Sequence, residues 1–169
     1  MSGLPSRVVL IAGPPCSGKT TAATRWSSSA DVVLDFDVIA RELGSPALWL
    51  HPEPWRSQAD SRMRQAVAAL PGTGPGVAFV IRSAAAATYR ARLARSLGVE
   101  ACVVLDPGVD VCIDRAERAH RPPGTVEQIR AWYRVFRPWA GDVSTFPSHE
   151  VAPPVSRERA VRFNPSREW

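Results

Sequence analysis

The chain has 169 residues, and its 20 arginines and one lysine, Lys19, outnumber 16 acidic residues to give a net charge of +5. This length allows one domain with a sizeable core. Apolar residues make up 45% and charged residues 22%, which excludes a wholly disordered chain. The absence of any apolar run of about 18 residues excludes a membrane span. The first residues lack the pattern of a signal peptide, so we expect a cytoplasmic protein. Cys16, Cys102 and Cys112 indicate neither a disulfide framework nor a metal site.

Short β-branched apolar runs alternate with helical patterns along the chain. The runs predict strands over residues 8–12, 31–36, 77–81 and 101–105. Helices are predicted over residues 19–28, 38–43, 56–70, 88–97, 109–119 and 125–136, with Gly44 and Gly98 as stop signals. Thr125 and Gln128 have the spacing of a capping box. Prolines predict an irregular connection over residues 45–55 and a loop over residues 71–76.

This alternation predicts an α/β fold, a parallel sheet of four or five strands with helices on both faces. Loops that follow the strands would lie at one edge, where ligands bind. We assign residues 1–137 to this domain. Residues 138–169 form a Pro- and Arg-rich tail that packs on it, either as a wrapping segment or with an edge strand near residues 160–163.

The loop after the first strand carries the most specific motif, because Gly13–Thr20 fits the phosphate-binding pattern G-x-x-x-x-G-K-[ST]. In such a loop the backbone N–H groups and the following helix N-terminus surround a phosphate. The Lys19 ammonium reaches the β- and γ-phosphates as a catalytic group, and Thr20 offers a hydroxyl to Mg²⁺. The pattern predicts the three-layer sandwich of P-loop NTPases and kinases, which binds ATP or another NTP. The expected nucleotide-binding residues are Gly13, Pro14, Pro15, Cys16, Ser17, Gly18, Lys19, Thr20 and Thr21.

Two carboxylates, Asp35 and Asp37, flank Phe36 at the end of the second strand. Residues two apart on a strand point to the same side, so both are expected near the phosphate loop. We predict that Asp37 is the catalytic base and that Asp35 binds Mg²⁺ or positions substrate. The alternative for Asp37 is a helix cap. Arg41, one helical turn on, is a candidate substrate ligand or a solvated charge.

The loop after the third strand begins Arg82-Ser83 and has no carboxylate. Many phosphate-loop enzymes place an acid there for the metal shell. Asp35 or Asp106 therefore replaces that acid, or Thr20 and the nucleotide hold most of the metal. Arg82 is a candidate substrate ligand or an ordinary charge at a strand end.

An arginine-rich helix, a break at residues 120–124 and a second helix predict a lid over about residues 115–130. An arginine that arrives on lid closure stabilises the charge of phosphoryl transfer. We assign Arg115 to the nucleotide, Arg118 to catalysis and Arg121 to the substrate. The alternative is an exposed amphipathic helix in an arginine-rich protein.

The stretches GPPCSGKTT, LDFDVIAREL and DRAERAHRPPGTVEQIRAWY together resemble the kinase domain of phage-type polynucleotide 5′-hydroxyl kinases. The resemblance implies ATP, Mg²⁺, transfer of the γ-phosphate to a 5′-OH end and, by position, Asp37 as base. It departs from the family at three places. Ala40, followed by Arg41, stands where the family has its acceptor-side arginine. The family's lid arginine falls near Ala119, with Arg118 and Arg121 beside it, and Ser83 replaces the family's acid after the third strand.

Three functions follow from these features. The first is a kinase that phosphorylates the 5′-OH end of a nucleic acid. The second is a kinase for a small molecule such as a nucleoside, sugar or antibiotic, and the third is an ATP-binding module or ATPase that transfers nothing within a larger assembly. In either kinase, Trp49, His51 and Trp55 are candidates for lining the acceptor pocket, or they pack under the proline-rich connection.

Overall fold

A computed structural model describes residues 7–69 and 76–145 of the protein. These residues form one sheet of five parallel strands in the spatial order β2-β3-β1-β4-β5. The predicted parallel α/β fold is thereby confirmed. The strands are β1 (Arg7–Ala12), β2 (Val32–Asp35), β3 (Val77–Arg82), β4 (Ala101–Val104) and β5 (Asp142–Val143).

Six helices connect or follow the strands within the described residues, and each predicted helix is present. Over the same residues, no helix combines the length and the apolar character needed to cross a membrane. The helices are α1 (Lys19–Trp26), α2 (Phe36–Glu42), α3 (Trp55–Ala68), α4 (Ala87–Leu97), α5 (Val109–Arg118) and α6 (Thr125–Val135).

The sheet is buried on both faces, as the apolar strands predict. Val8 and Leu10 of β1 point into a core that contains residues of α2, α3 and α4. The alternate residues Val9 and Ile11 point to the other face, where Ala23 of α1 covers them. Because α5 and α6 pack on each other through a separate small cluster, they form a helical pair beside the sheet. That cluster contains Cys112, Ala116 and Ile129.

Helix α2 begins two residues earlier than the sequence predicts. Asp35 caps it, because one of its carboxylate oxygens, Oδ1, accepts a hydrogen bond from the Asp37 backbone N–H at 3.1 Å. Phe36 is therefore the first helical residue, and Asp37 lies in the first helical turn. The expectation that Asp35 and Asp37 share one side of a strand is wrong. Asp35, not Asp37, has the capping role.

The predicted capping box at the start of α6 is also wrong. Gly124 occupies the cap position with a left-handed φ of 91°, a conformation that glycine adopts without a steric penalty. Thr125 is instead the first helical residue, and its hydroxyl donates to the Pro122 carbonyl at 2.8 Å. The threonine side chain therefore stabilises the turn before α6 and does not cap the helix N-terminus.

The fifth strand comes from the start of the tail. Asp142 and Val143 of β5 pair with Cys102 and Val103 of β4. Parts of the predicted helix at residues 56–70 and loop at residues 71–76 fall on residues 70–75, outside the described residues. The edge strand near residues 160–163 also lies outside them. The domain boundary at residue 137 stays a prediction.

Arg90 of α4 joins three segments at the carboxyl edge of the sheet, although its side chain is fully buried. Its guanidinium forms a two-pronged ion pair with the Asp142 carboxylate, at 2.9 and 2.6 Å. It also donates to the Ala84, Ala85 and Arg137 carbonyl oxygens. The charge is fully hydrogen-bonded, which is the condition under which burial is tolerated.

Replacing Arg90 with methionine should lower the free energy of unfolding by about 3–5 kcal/mol, because it leaves the Asp142 carboxylate without its partner. Urea unfolding measures this loss. The matched control is Arg95→Met, since Arg95 lies exposed on the same helix and its loss should cost less than about 0.5 kcal/mol. Equal losses for the two variants would contradict the assigned role of Arg90.

Candidate functional site

The loop between β1 and α1 has the backbone geometry that its motif predicts. Gly18 caps α1 in a left-handed conformation, with a φ of 96°. Gly13 sits so close to the chain after β4 that a Cβ atom would lie 2.5 Å from the Leu105 carbonyl oxygen. The Ser17 hydroxyl is buried and makes no hydrogen bond to the described part of the chain. Both glycines are therefore required by geometry, and Ser17 retains a polar group that a ligand can satisfy.

The Lys19 ammonium lies inside this loop. It donates to the Gly13 carbonyl at 2.9 Å and to the Pro14 carbonyl at 2.6 Å. Burial lowers the pKa of Lys19 to about 8, and the Asp35 and Asp37 carboxylates oppose that shift. The lysine therefore loses its proton more easily than an exposed lysine does.

A cavity of about 540 Å³ lies over the loop and reaches the α5 region. The predicted nucleotide residue Arg115 lines it and donates to the Cys16 and Ser17 carbonyl oxygens, both at 3.2 Å. Arg121, predicted as a substrate ligand, lines this same cavity. The lining also includes Cys16, Ser17, Gly18, Lys19, Thr20, Thr21, Ala22, Arg25, Trp26, Leu105 and Ala119.

The two acids after β2 have different surroundings. The Thr20 hydroxyl lies 3.2 Å from the Asp35 Oδ2 atom. The Asp37 side chain contacts His51, whose Nε2 atom lies 3.1 Å from Asp37 Oδ1. Asp35 is thus paired with the phosphate loop, and Asp37 with the connection between α2 and α3.

The pKa of Asp37 is raised, mainly by burial and secondly by the neighbouring Asp35 carboxylate, whereas His51 and Lys19 oppose the shift. Its side chain nevertheless remains 48% exposed. The carboxylate is therefore accessible and more basic than an ordinary aspartate, as a proton acceptor needs to be.

A second cavity, of about 240 Å³, lies on the other side of Lys19. Asp37 and His51 lie in its wall, together with the Lys19 side chain. Of the three residues predicted from the proline-rich connection, His51 lines this cavity and the described lining contains neither Trp49 nor Trp55. The other lining residues are Phe36, Leu50, Arg56, Ile81, Arg82, Ser83, Ala84 and Tyr89.

Arg82 lines the second cavity, but its guanidinium already has partners. It forms an ion pair with Asp60 at 2.6 Å, donates to the Tyr89 hydroxyl and stacks on the Phe36 ring at 3.6 Å. Only 8% of the side chain is exposed. Arg82 therefore shapes the cavity wall through these contacts.

The remaining predicted cations lie farther from the cavities. Arg118 is 80% exposed and pairs with Asp114 one turn back on α5. Arg41 is exposed in the last turn of α2. Neither lines either of these two cavities, so their assignments to catalysis and substrate binding stay predictions.

Sequence reasoning did not find Asp60 or Tyr89, the partners of Arg82. Asp60 lies on α3 before β3, and Tyr89 lies on α4 after it. A helical carboxylate and tyrosine carry no motif, and only the packing of both helices on one face of the sheet brings them to Arg82. His51 had one usable signal, its place between two tryptophans.

Solved structures share this fold. A chain of the Pnkp1/Rnl/Hen1 RNA repair complex matches with a TM-score of 0.59 and 16% identity, over 81% of this chain and 48% of that one. The tunicamycin resistance protein of Deinococcus radiodurans matches with a TM-score of 0.54 and 20% identity, over 83% of this chain and 86% of that one. A gluconokinase from Sinorhizobium meliloti matches with a TM-score of 0.53 and 19% identity, over 84% of this chain and 82% of that one.

These matches, together with the phosphate loop, define the fold as that of the P-loop kinases. The chain spans about half the length of the RNA-repair chain. No protein-family profile matches the sequence, and no curated protein matches it.

The lowered pKa of Lys19 makes nucleotide binding sensitive to pH. Since the phosphates require the ammonium form, affinity for ATP should fall about tenfold between pH 7 and pH 9, as pH rises through about 8. Calorimetric titration with ATP at the two pH values measures this change. In Lys19→Met the affinity should be low and independent of pH, and an equal affinity of the wild-type protein at both values would contradict the prediction.

Arg115 and Arg118 offer a matched pair on α5. Replacing Arg115 with alanine removes two hydrogen bonds to the phosphate loop and a positive charge from the nucleotide cavity, so the Kd for ATP should rise about tenfold. Arg118→Ala should leave that Kd unchanged, because Arg118 points to solvent and pairs with Asp114. If Arg118→Ala raised the Kd for ATP more than Arg115→Ala does, Arg118 rather than Arg115 would be the nucleotide ligand.

Proposed function

We propose that the protein is a phosphotransferase that moves the γ-phosphate of ATP, or of another NTP, to a hydroxyl group. The observation that carries this proposal is the position of Lys19, which lines both cavities. One cavity contains the phosphate loop and the other contains Asp37. A lysine shared by a phosphate site and a carboxylate-lined site suits transfer of a phosphoryl group between them.

In this proposal the acceptor alcohol binds in the 240 Å³ cavity, with its hydroxyl against Asp37. Its oxygen attacks the γ-phosphorus, the new O–P bond forms, and the bond to the β,γ-bridging oxygen breaks to release ADP. Asp37 accepts the hydroxyl proton. Lys19 stabilises the phosphate oxygens, and the lid arginines Arg115, Arg118 and Arg121 supply further positive charge on closure.

Thr20 and Asp35 are the residues that suit Mg²⁺. Their oxygens lie 3.2 Å apart beside the loop, and a hydroxyl with a carboxylate is an oxygen donor set that Mg²⁺ accepts. The described residues contain no group of three or more His, Cys, Asp or Glu with metal-binding geometry. This agrees with an ion that takes most of its ligands from water and nucleotide phosphates. When bound, Mg²⁺ neutralises charge on the transferring phosphate.

The sequence leaves two classes of phosphate acceptor open, the 5′-OH end of a nucleic acid and a small molecule. The second cavity favours the small molecule. A nucleic acid end brings phosphates that need unpaired cations. Both arginines of this cavity have carboxylate partners within the protein: Arg82 pairs with Asp60 and Arg56 with Glu53. We therefore propose an acceptor without phosphates near its reacting hydroxyl.

The walls of the cavity support the same acceptor. Phe36, Leu50, Ile81 and Ala84 give it apolar surface, and Leu50 remains 74% exposed at this site. A volume of about 240 Å³ suits a compact ligand. We propose an uncharged alcohol with an apolar face. The gluconokinase and tunicamycin-resistance neighbours agree with a small-molecule acceptor, whereas the RNA-repair neighbour and the net charge of +5 favour nucleic acid.

Labelled ATP and Mg²⁺ with different acceptors separate the three functions. The acceptors are a 5′-OH oligonucleotide, a panel of uncharged sugars, nucleosides and aromatic alcohols, and the carboxylated or phosphorylated analogue of each panel member. Labelled uncharged alcohols support the proposal. Labelled oligonucleotide establishes the polynucleotide kinase instead, and release of phosphate alone, with every acceptor unlabelled, establishes an ATPase.

Asp37→Asn should lower phosphoryl transfer about 100-fold or more, because the amide cannot accept the hydroxyl proton. The Kd for ATP should hardly change, since Asp37 bonds to His51 and lines the second cavity, not the cavity over the phosphate loop. Asp35→Asn is the matched control and should weaken Mg²⁺-dependent ATP binding instead. If Asp35→Asn stops transfer while Asp37→Asn retains it, the base is the other carboxylate.

A further inference from the structure

His51 is buried beside Asp37, although it lies in an irregular connection. Only 4% of the residue is exposed, and both ring nitrogens lie within hydrogen-bond distance of a polar side chain. Nδ1 is 2.8 Å from the Ser45 hydroxyl and Nε2 is 3.1 Å from Asp37 Oδ1. The ring also packs edge-on against Phe36, with centroids 5.9 Å apart. A phenylalanine would provide this packing, so the two nitrogens need a separate explanation.

The end of α2 brings Ser45 to this place. Gly44 adopts a left-handed φ of 102° after the helix, and the N–H groups of Gly44 and Ser45 bond to the Arg41 and Ala40 carbonyls at 2.9 and 3.0 Å. This is the usual termination of a helix by glycine. The helix that carries Asp37 in its first turn thus carries Ser45 just after its last turn, and His51 bridges the two.

The direction of the hydrogen bonds follows from the groups involved. The Asp37 carboxylate only accepts, so His51 Nε2 carries a hydrogen and donates it. In the neutral imidazole Nδ1 then accepts from the Ser45 hydroxyl. The Ala47 N–H lies 3.4 Å from that hydroxyl oxygen and donates to it. The three hydrogen bonds therefore form a chain in which Ala47 donates to Ser45, Ser45 donates to His51 and His51 donates to Asp37.

We propose that His51, oriented by Ser45, is a positioning residue for the base: it binds Asp37 Oδ1 and leaves Oδ2 free to accept the proton of the acceptor hydroxyl. This inference rests on the proposed function, in which Asp37 is the base. Within the described residues, the hydrogen-bond partner of the Asp37 side chain is His51. Because the Asp37 side chain is 48% exposed, packing encloses it only in part, and the hydrogen bond to His51 restricts its rotation. Fixing one oxygen sets the direction of the other.

Nitrogen NMR of the imidazole rings tests the geometry in the 169-residue chain without a known acceptor. The chain has three histidines, and His51→Phe assigns the His51 signals. In the hydrogen-bonded neutral ring, His51 should show a protonated Nε2 and an unprotonated Nδ1. Asp37→Asn should shift the Nε2 signal and Ser45→Ala the Nδ1 signal. A protonated Nδ1, or no response to either variant, overturns the proposal.

ATP turnover with water as the acceptor tests the consequence for catalysis. His51→Phe should lower kcat about 10- to 100-fold with an unchanged KM for ATP. His51→Gln is the matched control, because its amide N–H can replace the donor and recover most of kcat. Equal losses of kcat in both variants contradict positioning.

Failure of the inference is distinguishable from failure of the proposed function. If Asp37→Asn lowers turnover and His51→Phe does not, Asp37 is the base without help from His51. If Asp37→Asn retains full turnover, the proposed base is wrong and the positioning role falls with it. Circular dichroism and thermal unfolding confirm that each variant is folded before its rates are compared.

Discussion

The buried guanidinium of Arg90 determines how the carboxyl edge of the sheet is built. Its ion pair with Asp142 attaches the start of the tail beside β4, and its bonds to the Ala84 and Ala85 carbonyls hold the loop after β3. That loop needs external support because Ala84 has a left-handed φ of 40°, which costs a residue with a Cβ about 1 kcal/mol or more. One side chain therefore supports both the fifth strand and a wall of the second cavity.

The same loop explains how the site manages without an acid after the third strand. The Ser83 carbonyl accepts from the Gly13 N–H at 3.3 Å and from the Trp132 indole at 2.7 Å. The position thus joins the phosphate loop to α6 through backbone rather than side-chain contacts. The Asp35 carboxylate lies 3.2 Å from the Thr20 hydroxyl, so an acid still lies beside the phosphate loop.

The sequence predicts what depends on local pattern and leaves out what depends on packing. Alternating apolar runs and helices were sufficient for the parallel sheet, and Gly13–Thr20 was sufficient for the phosphate loop, because each rests on contiguous residues. The start of α2 was misplaced because Asp35 and Asp37 compete for one cap, and spacing does not decide between them. Arg82 is the clearest case of a tertiary effect. Its neighbours in sequence give no sign that Asp60 will take its charge.

Burial gives the charged residues of this arginine-rich protein different roles. Arg82 and Arg90 are buried with carboxylate partners, since an unpaired buried charge would be costly. Each pair is nearly neutral from outside, so these arginines add little to the field that the net charge of +5 suggests. Lys19 differs: within the described part of the chain its ammonium donates to carbonyl oxygens, and burial lowers its pKa to about 8. A cation that is buried without a carboxylate in direct contact attracts an anion strongly. This environment favours the phosphates of the proposed nucleotide, whereas the arginines of the second cavity already have carboxylate partners, which agrees with the proposed uncharged acceptor.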